Sequence, residues 1–105
     1  MNLWIITVNY GDVAVTESLI DSVTAIENHD SIKIGIVDNS SSVESYSQLN
    51  QIKNKSKLDI TVFPYKKNHF YWPAAKKAIN NLKEDFGSYP DWVIICNNDI
   101  IFSDN

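Results

Sequence analysis

The sequence predicts an α/β domain built on a parallel sheet with helices on both faces, and three observations carry that reading. Four short runs, residues 3–8, 32–37, 58–63 and 92–96, are rich in consecutive apolar residues, as strands buried on both faces are. Between them lie segments whose apolar residues recur at helical spacing and which open on capping or proline signals. The resulting alternation, strand and helix in turn from first to last, implies right-handed crossovers and parallel strands. The expected strand order is 3-2-1-4, the nucleotide-binding half of a doubly wound sheet.

Each element has a local reason. Residues 3–8, LWIITV, are apolar and β-branched, and the opening of the chain lacks the basic flank of a signal peptide. Asp12 is placed to cap a helix whose apolar positions are Leu19, Ile20, Val23 and Ile26, ending over residues 28–31. The second strand stops at Asp38-Asn39-Ser40. Ser41 with Glu44 forms a capping box, followed by Val43, Tyr46, Leu49 and Ile52 on one helical face. A polar Asn54-Lys55-Ser56-Lys57 stretch precedes the third strand. Pro73 suits the first turn of a third helix over residues 74–84, since a proline there gives up no needed donor. Gly87 to Pro90 make a turn, and residues 92–96 form a fourth strand, read as core material but also as a possible exposed edge that pairs with a second copy.

Composition narrows the function classes. The 105 residues carry a net charge of −4, with nine lysines and no arginine, which argues against a nucleic-acid partner. No run approaches a membrane span. The single cysteine, Cys96, excludes an internal disulfide and reads as an inert core thiol. The cytoplasm is the default compartment, with attachment to the inner face of a membrane left open. Cys96, His69 and Asp99 lack zinc spacing. Only three glycines occur, and neither G-x-x-x-x-G-K-S/T nor G-x-G-x-x-G is present, against a P-loop or a dinucleotide fingerprint. A chain that stops just after its fourth strand is either very compact or the first half of a larger domain, and the second is expected.

In this topology ligands bind beyond the carboxyl ends of the strands. Those ends carry Thr7-Val8-Asn9-Tyr10-Gly11-Asp12, then Asp38-Asn39-Ser40-Ser41-Ser42, then Tyr65-Lys66-Lys67-Asn68-His69, then Asn97-Asn98-Asp99. One polar cluster is ordinary loop chemistry; four on one rim suggest a site. Asp38 can accept an N–H from a nucleobase edge or cap the next helix, the two readings standing about even. Tyr10 offers a face for stacking or packing, and Lys66 and Lys67 either meet phosphate or are solvated. Asn97 and Asp99, alternate residues of an extended segment, could face one Mg²⁺ or Mn²⁺; a plain polar turn is the competing reading. Trp92 is expected in core or rim packing. Trp72 beside Pro73 is the better candidate for ligand contact.

These residues together resemble the inverting, GT-A-fold, family 2 glycosyltransferases, in particular the rhamnosyltransferase-like branch. The matching motifs are Thr7-Val8-Asn9-Tyr10, Val37-Asp38-Asn39-Ser40-Ser41, Asn68 with Pro73-Ala74-Ala75, and Asn97-Asn98-Asp99 in place of D-x-D, covering essentially the whole chain. The resemblance implies the donor-binding, Rossmann-like half of the fold over residues 1–105, without the acceptor half. It implies that Thr7, Asn9, Tyr10, Asp38, Asn68 and Asn98 border the nucleotide and that Asn97 and Asp99 form the metal and diphosphate site. The implied donor is a UDP-, GDP- or dTDP-sugar, the cofactor Mn²⁺ or Mg²⁺, and the acceptor a glycan or lipid-linked hydroxyl, in polysaccharide or other glycan synthesis. No catalytic base is assigned; it is expected in the absent half, leaving the isolated chain with little transfer activity. The family's usual glycines and second asparagine after the third strand are replaced, and Phe70, Tyr71 and Trp72 crowd a loop that normally nears the donor. A non-catalytic nucleotide-binding or interaction domain is the alternative. A nucleotidyltransferase would need a glycine-rich basic loop after strand 1, and a phosphoacceptor receiver domain an acidic pocket there; neither is present.

Overall fold

The computed structural model describes residues 2–9, 12–26, 31–39, 43–64 and 71–102, and the side chains of all of these except residues 64 and 71–74. The chain alternates as expected: β1 (Leu3–Asn9), α1 (Val13–Thr24), β2 (Ile32–Asp38), α2 (Val43–Lys55), β3 (Asp59–Pro64), α3 (Tyr71–Phe86) and β4 (Trp92–Asn97). The four strands form one sheet in the order β3-β2-β1-β4, every pair parallel. This is the predicted order, and β1 is an inner strand.

Side-chain alternation along the inner strands divides the core into two layers. Ile5, Ile32, Ile34, Ile36, Ile60 and Val62 face α1 and α2, meeting Val13, Leu19, Ile20, Val23 and Leu49. Trp4, Ile6, Val8, Val37 and Phe63 face the opposite way, toward Ala75, Ala78 and Leu82 of α3. The small alanines let α3 lie close to β1 and β2. Gly35 is part of the same approach, because a Cβ there would stand 2.9 Å from Ile6 Cδ1 and 3.2 Å from Leu82 Cδ1.

Helix ends follow local chemistry. The Asp12 carboxylate accepts from Ala14 N at 2.9 Å, capping α1 as the sequence suggests. α3 starts three residues before the expected span, so Tyr71 and Trp72 belong to a helix and not to a loop, and Pro73 lies in its first turn. It ends at Gly87, whose φ of 80° is left-handed and whose N–H donates to Lys83 O at 2.7 Å. Ser41 of the proposed capping box lies outside the described residues. At the amino end of the sheet, Lys33 pairs with Asp59 and lies over the Phe86 ring, tying β2 to β3 and to the end of α3. The pair is partly exposed and contributes little to stability.

Two expectations about burial are corrected. Val43 is not on the inward face of α2: it is 88% exposed, and Ser45, one turn before Leu49, takes that position. For β4, where core and exposed edge both stand open in the sequence, the core reading fails: Trp92 is 63% exposed and Val93 and Ile94 are also open. Among the described residues β4 is an edge strand, paired only with β1, while α3 lies over β1 and β2. Its apolar run therefore lacks the two-sided cover that an inner parallel strand has. After it, Ile101 is exposed, and Phe102 returns to the α1 layer with its N–H on Ser22 Oγ at 3.0 Å.

Candidate functional site

Parallel strands bring their carboxyl ends to one rim, so the ends of β1, β2 and β4 meet there. Asn9 pairs with Asp38 in the β1–β2 register, and Val8 with Asn97 in the β1–β4 register. The Asn39 N–H continues the ladder by donating to Asn9 O at 3.1 Å. The rim is thus a direct product of three apolar strands of similar length stopping at polar residues.

Below the rim runs a chain of side-chain hydrogen bonds. Asn98 Nδ2 donates to Thr16 Oγ1 at 3.2 Å, and Thr16 Oγ1 donates to Asn9 Oδ1 at 2.7 Å. Asn9 Nδ2 donates to Ser45 Oγ at 3.3 Å, and Ser45 Oγ donates to Asp38 Oδ1 at 3.1 Å. The chain joins the turn after β4, α1, the end of β1, the start of α2 and the end of β2. Asn9, Thr16, Asp38 and Ser45 are all buried, Asp38 being only 2% exposed. A buried polar group without a partner is costly, so these five residues are mutually dependent.

The sequence-predicted residues divide accordingly. Asn9, Asp38 and Asn98 are brought together, the first two beneath the surface and Asn98 half-buried beside them. Asn97 and Asp99 are exposed. β4 ends at Asn97 and a turn follows, so strand alternation does not pair Asn97 with Asp99. Asn97 opposes Val8, whose side chain faces the α3 layer, whereas Asn98 reaches Thr16 on the α1 side. Thr7 is fully buried, and its Oγ1 has no hydrogen-bond partner. Its neighbour across the β1–β4 register is Cys96, half-buried rather than fully enclosed. Burial pushes the Cys96 thiol up, the Thr7 hydroxyl partly opposes this, and the Asp99 charge adds to the rise. Thr7 and Cys96 nonetheless fall short of a hydrogen bond. Tyr10, Lys66, Lys67, Asn68, His69 and Phe70 lie outside the described residues, as does the side chain of Trp72.

Thr16 and Ser45 were not singled out from the sequence. A signal existed: each sits at an inward position early in its helix, α1 otherwise burying Val13, Leu19, Ile20 and Val23, and α2 otherwise burying Leu49. A hydroxyl in such a position needs a buried partner.

The donor set at the turn consists of hard oxygens. Among the described residues no group of three or more His, Cys, Asp or Glu side chains is gathered as a metal cage. One exposed carboxylate, Asp99, with neighbouring carboxamides suits a cation that keeps several waters and shares its remaining positions with substrate phosphates. Mg²⁺ and Mn²⁺ behave in this way.

The family model described as Glycosyl transferase family 2 matches residues 4–105, nearly the whole chain. The chain belongs to that family. Among curated proteins no match is found. The four-stranded sheet in the order 3-2-1-4 with helices on both faces agrees with the amino-terminal half of the GT-A fold, and family 2 membership supports a glycosyltransferase function. No helix among the described residues is long and apolar enough to cross a membrane.

Proposed function

We propose that this family 2 glycosyltransferase chain binds the nucleotide-diphosphate sugar donor, together with Mn²⁺ or Mg²⁺, across the rim formed by β1, β2 and β4. The observation that supports this most is the convergence of Asp38 and the Asn97–Asp99 turn, from separate strands, onto one hydrogen-bonded chain. The nucleoside end lies toward Asn9 and Asp38, and the diphosphate toward Asp99. A bound divalent cation would neutralise charge on the departing diphosphate. The chain's own part is to hold donor and turn in fixed register, so that the sugar's anomeric carbon faces an acceptor hydroxyl. The Asn-x-Asp form of the turn favours the rhamnosyltransferase-like branch and a role in polysaccharide or other glycan synthesis. In this reading the 105 residues supply the donor side only, and transfer to an acceptor at the rate of an intact enzyme is not expected of them.

The test is titration of the chain with UDP, GDP and dTDP, each with and without Mn²⁺, beside Asp99→Ala and Asp38→Ala. Mn²⁺-dependent binding of one nucleotide, lost in Asp99→Ala, is the expected result. Equal binding by all three proteins, or none by any, would overturn the assignment.

A further inference from the structure

The hydrogen-bonded chain has a direction, and that direction follows from counting protons. An aspartate carboxylate can only accept, so Ser45 must donate to Asp38 Oδ1. A hydroxyl has one proton, so Ser45 must accept from Asn9, which turns the Asn9 amide nitrogen toward Ser45 and its oxygen toward Thr16. Thr16 must then spend its only proton on Asn9 and accept from Asn98. Asn98 is left with its NH₂ directed inward. Its carboxamide oxygen takes no hydrogen bond from any described residue, and the side chain is half-buried, beside the exposed Asp99. A single negative charge at the end of β2 thus determines which end of a carboxamide is offered at the turn after β4.

We propose that Thr16, Asn9 and Ser45 are positioning residues that fix Asn98 with its oxygen outward, next to the Asp99 carboxylate. Asn98 and Asp99 are consecutive residues of that turn, so this orientation lets each offer a hard oxygen there. Its importance for donor binding rests on the reading of the rim given above, but the orientation itself does not. The arrangement differs from a pairing of Asn97 with Asp99, since Asn97 opposes Val8 on the other side of the sheet.

The experiment uses the full chain and begins without any ligand. Side-chain ¹H–¹⁵N resonances of Asn98 and backbone hydrogen exchange over residues 97–99 are compared in wild type, Thr16→Val, Thr16→Ser and Ser45→Ala. Thr16→Val keeps the shape and removes the hydroxyl. It is expected to speed exchange over 97–99 by about fivefold to tenfold, the equivalent of one net hydrogen bond, while Thr16→Ser stays near wild type. Ser45→Ala is the sharper probe, because no hydrogen bond joins Ser45 to Thr16 or Asn98. It should still move the Asn98 carboxamide resonances, because the constraint on direction is gone. Unchanged Asn98 resonances in Ser45→Ala, or exchange in Thr16→Val within about twofold of wild type, would overturn the proposal. Affinity for UDP, GDP and dTDP with Mn²⁺ is then measured on the same proteins. A fall in Thr16→Val restored by Thr16→Ser supports the positioning role, and unchanged affinity overturns it. Resonance changes without nucleotide binding by wild type would keep the orientation and defeat the donor-site reading.

Discussion

Thr7 and Asn9 are two residues apart on β1, equally buried, and opposite in their hydrogen bonding. Asn9 uses both ends of its carboxamide, whereas the Thr7 hydroxyl has no partner. Thr7→Val keeps the shape and removes an unsatisfied buried group, so it should stabilise the fold by about 1 kcal/mol in urea denaturation. If Thr7 borders the ribose, the same variant also weakens nucleotide binding; unchanged affinity would remove it from the site. Asp38→Ala is expected to cost about 1–3 kcal/mol, because it removes a buried acceptor to which the Ser45 hydroxyl donates. Cys96 makes a statement about pH. Its thiol is held above the ordinary range chiefly by burial, so the folded state favours the protonated form. Stability from this group is complete below the unfolded thiol pKa and falls as pH rises beyond it. Alkylation by iodoacetamide near neutral pH should accordingly be slower in the native than in the urea-unfolded chain. At this scale the rim positions of Asn9, Asp38 and Asn98 could be read from the sequence, because β1 and β2 stop at the first two and the third directly follows β4. Thr16 and Ser45 could not, since their partners are distant in the chain and a hydroxyl on a helix usually bonds locally.

Among the elements, β2 and β4 show what apolar runs do and do not encode. Gly35 lies in the middle of β2 beneath Leu82 of α3, and Gly35→Ala should destabilise by about 1–3 kcal/mol through overpacking against Ile6 and Leu82, seen as a lower denaturation midpoint. β4 looks equally core-like in sequence, but periodicity reports how apolar a strand is and not which neighbours it acquires. Its exposed Trp92, Val93 and Ile94 lie on an open sheet edge, the usual place for unwanted strand pairing. We expect weak self-association through this edge, visible by sedimentation at high concentration and reduced by Ile94→Lys. A strictly monomeric profile for wild type would count against it. The helices were legible to within a few residues where caps were present, as at Asp12. The start of α3 was not, because the aromatic Tyr71-Trp72 pair before Pro73 carries no capping signal.

For the molecule as a whole, the strand order was legible because alternating elements and right-handed crossovers leave few arrangements. The loop after β3, with Lys66, Lys67 and Asn68, lies outside the described residues, and so does Tyr10. If a nucleotide with Mn²⁺ binds the rim of the folded state alone, saturation at one hundred times Kd should add about 2.7 kcal/mol, read as a concentration-dependent rise in Tm. The Asn98–Thr16 bond has a kinetic consequence too. It spans 82 positions, joining α1 to the turn that follows β4. Closing so wide a loop is entropically slow, and β4 has little to dock against until β1 is already in place. Competence to hold a donor should therefore emerge late during refolding, trailing the appearance of helical signal, and a stalled nascent chain ending before residue 92 would be compact yet unable to recognise its nucleotide.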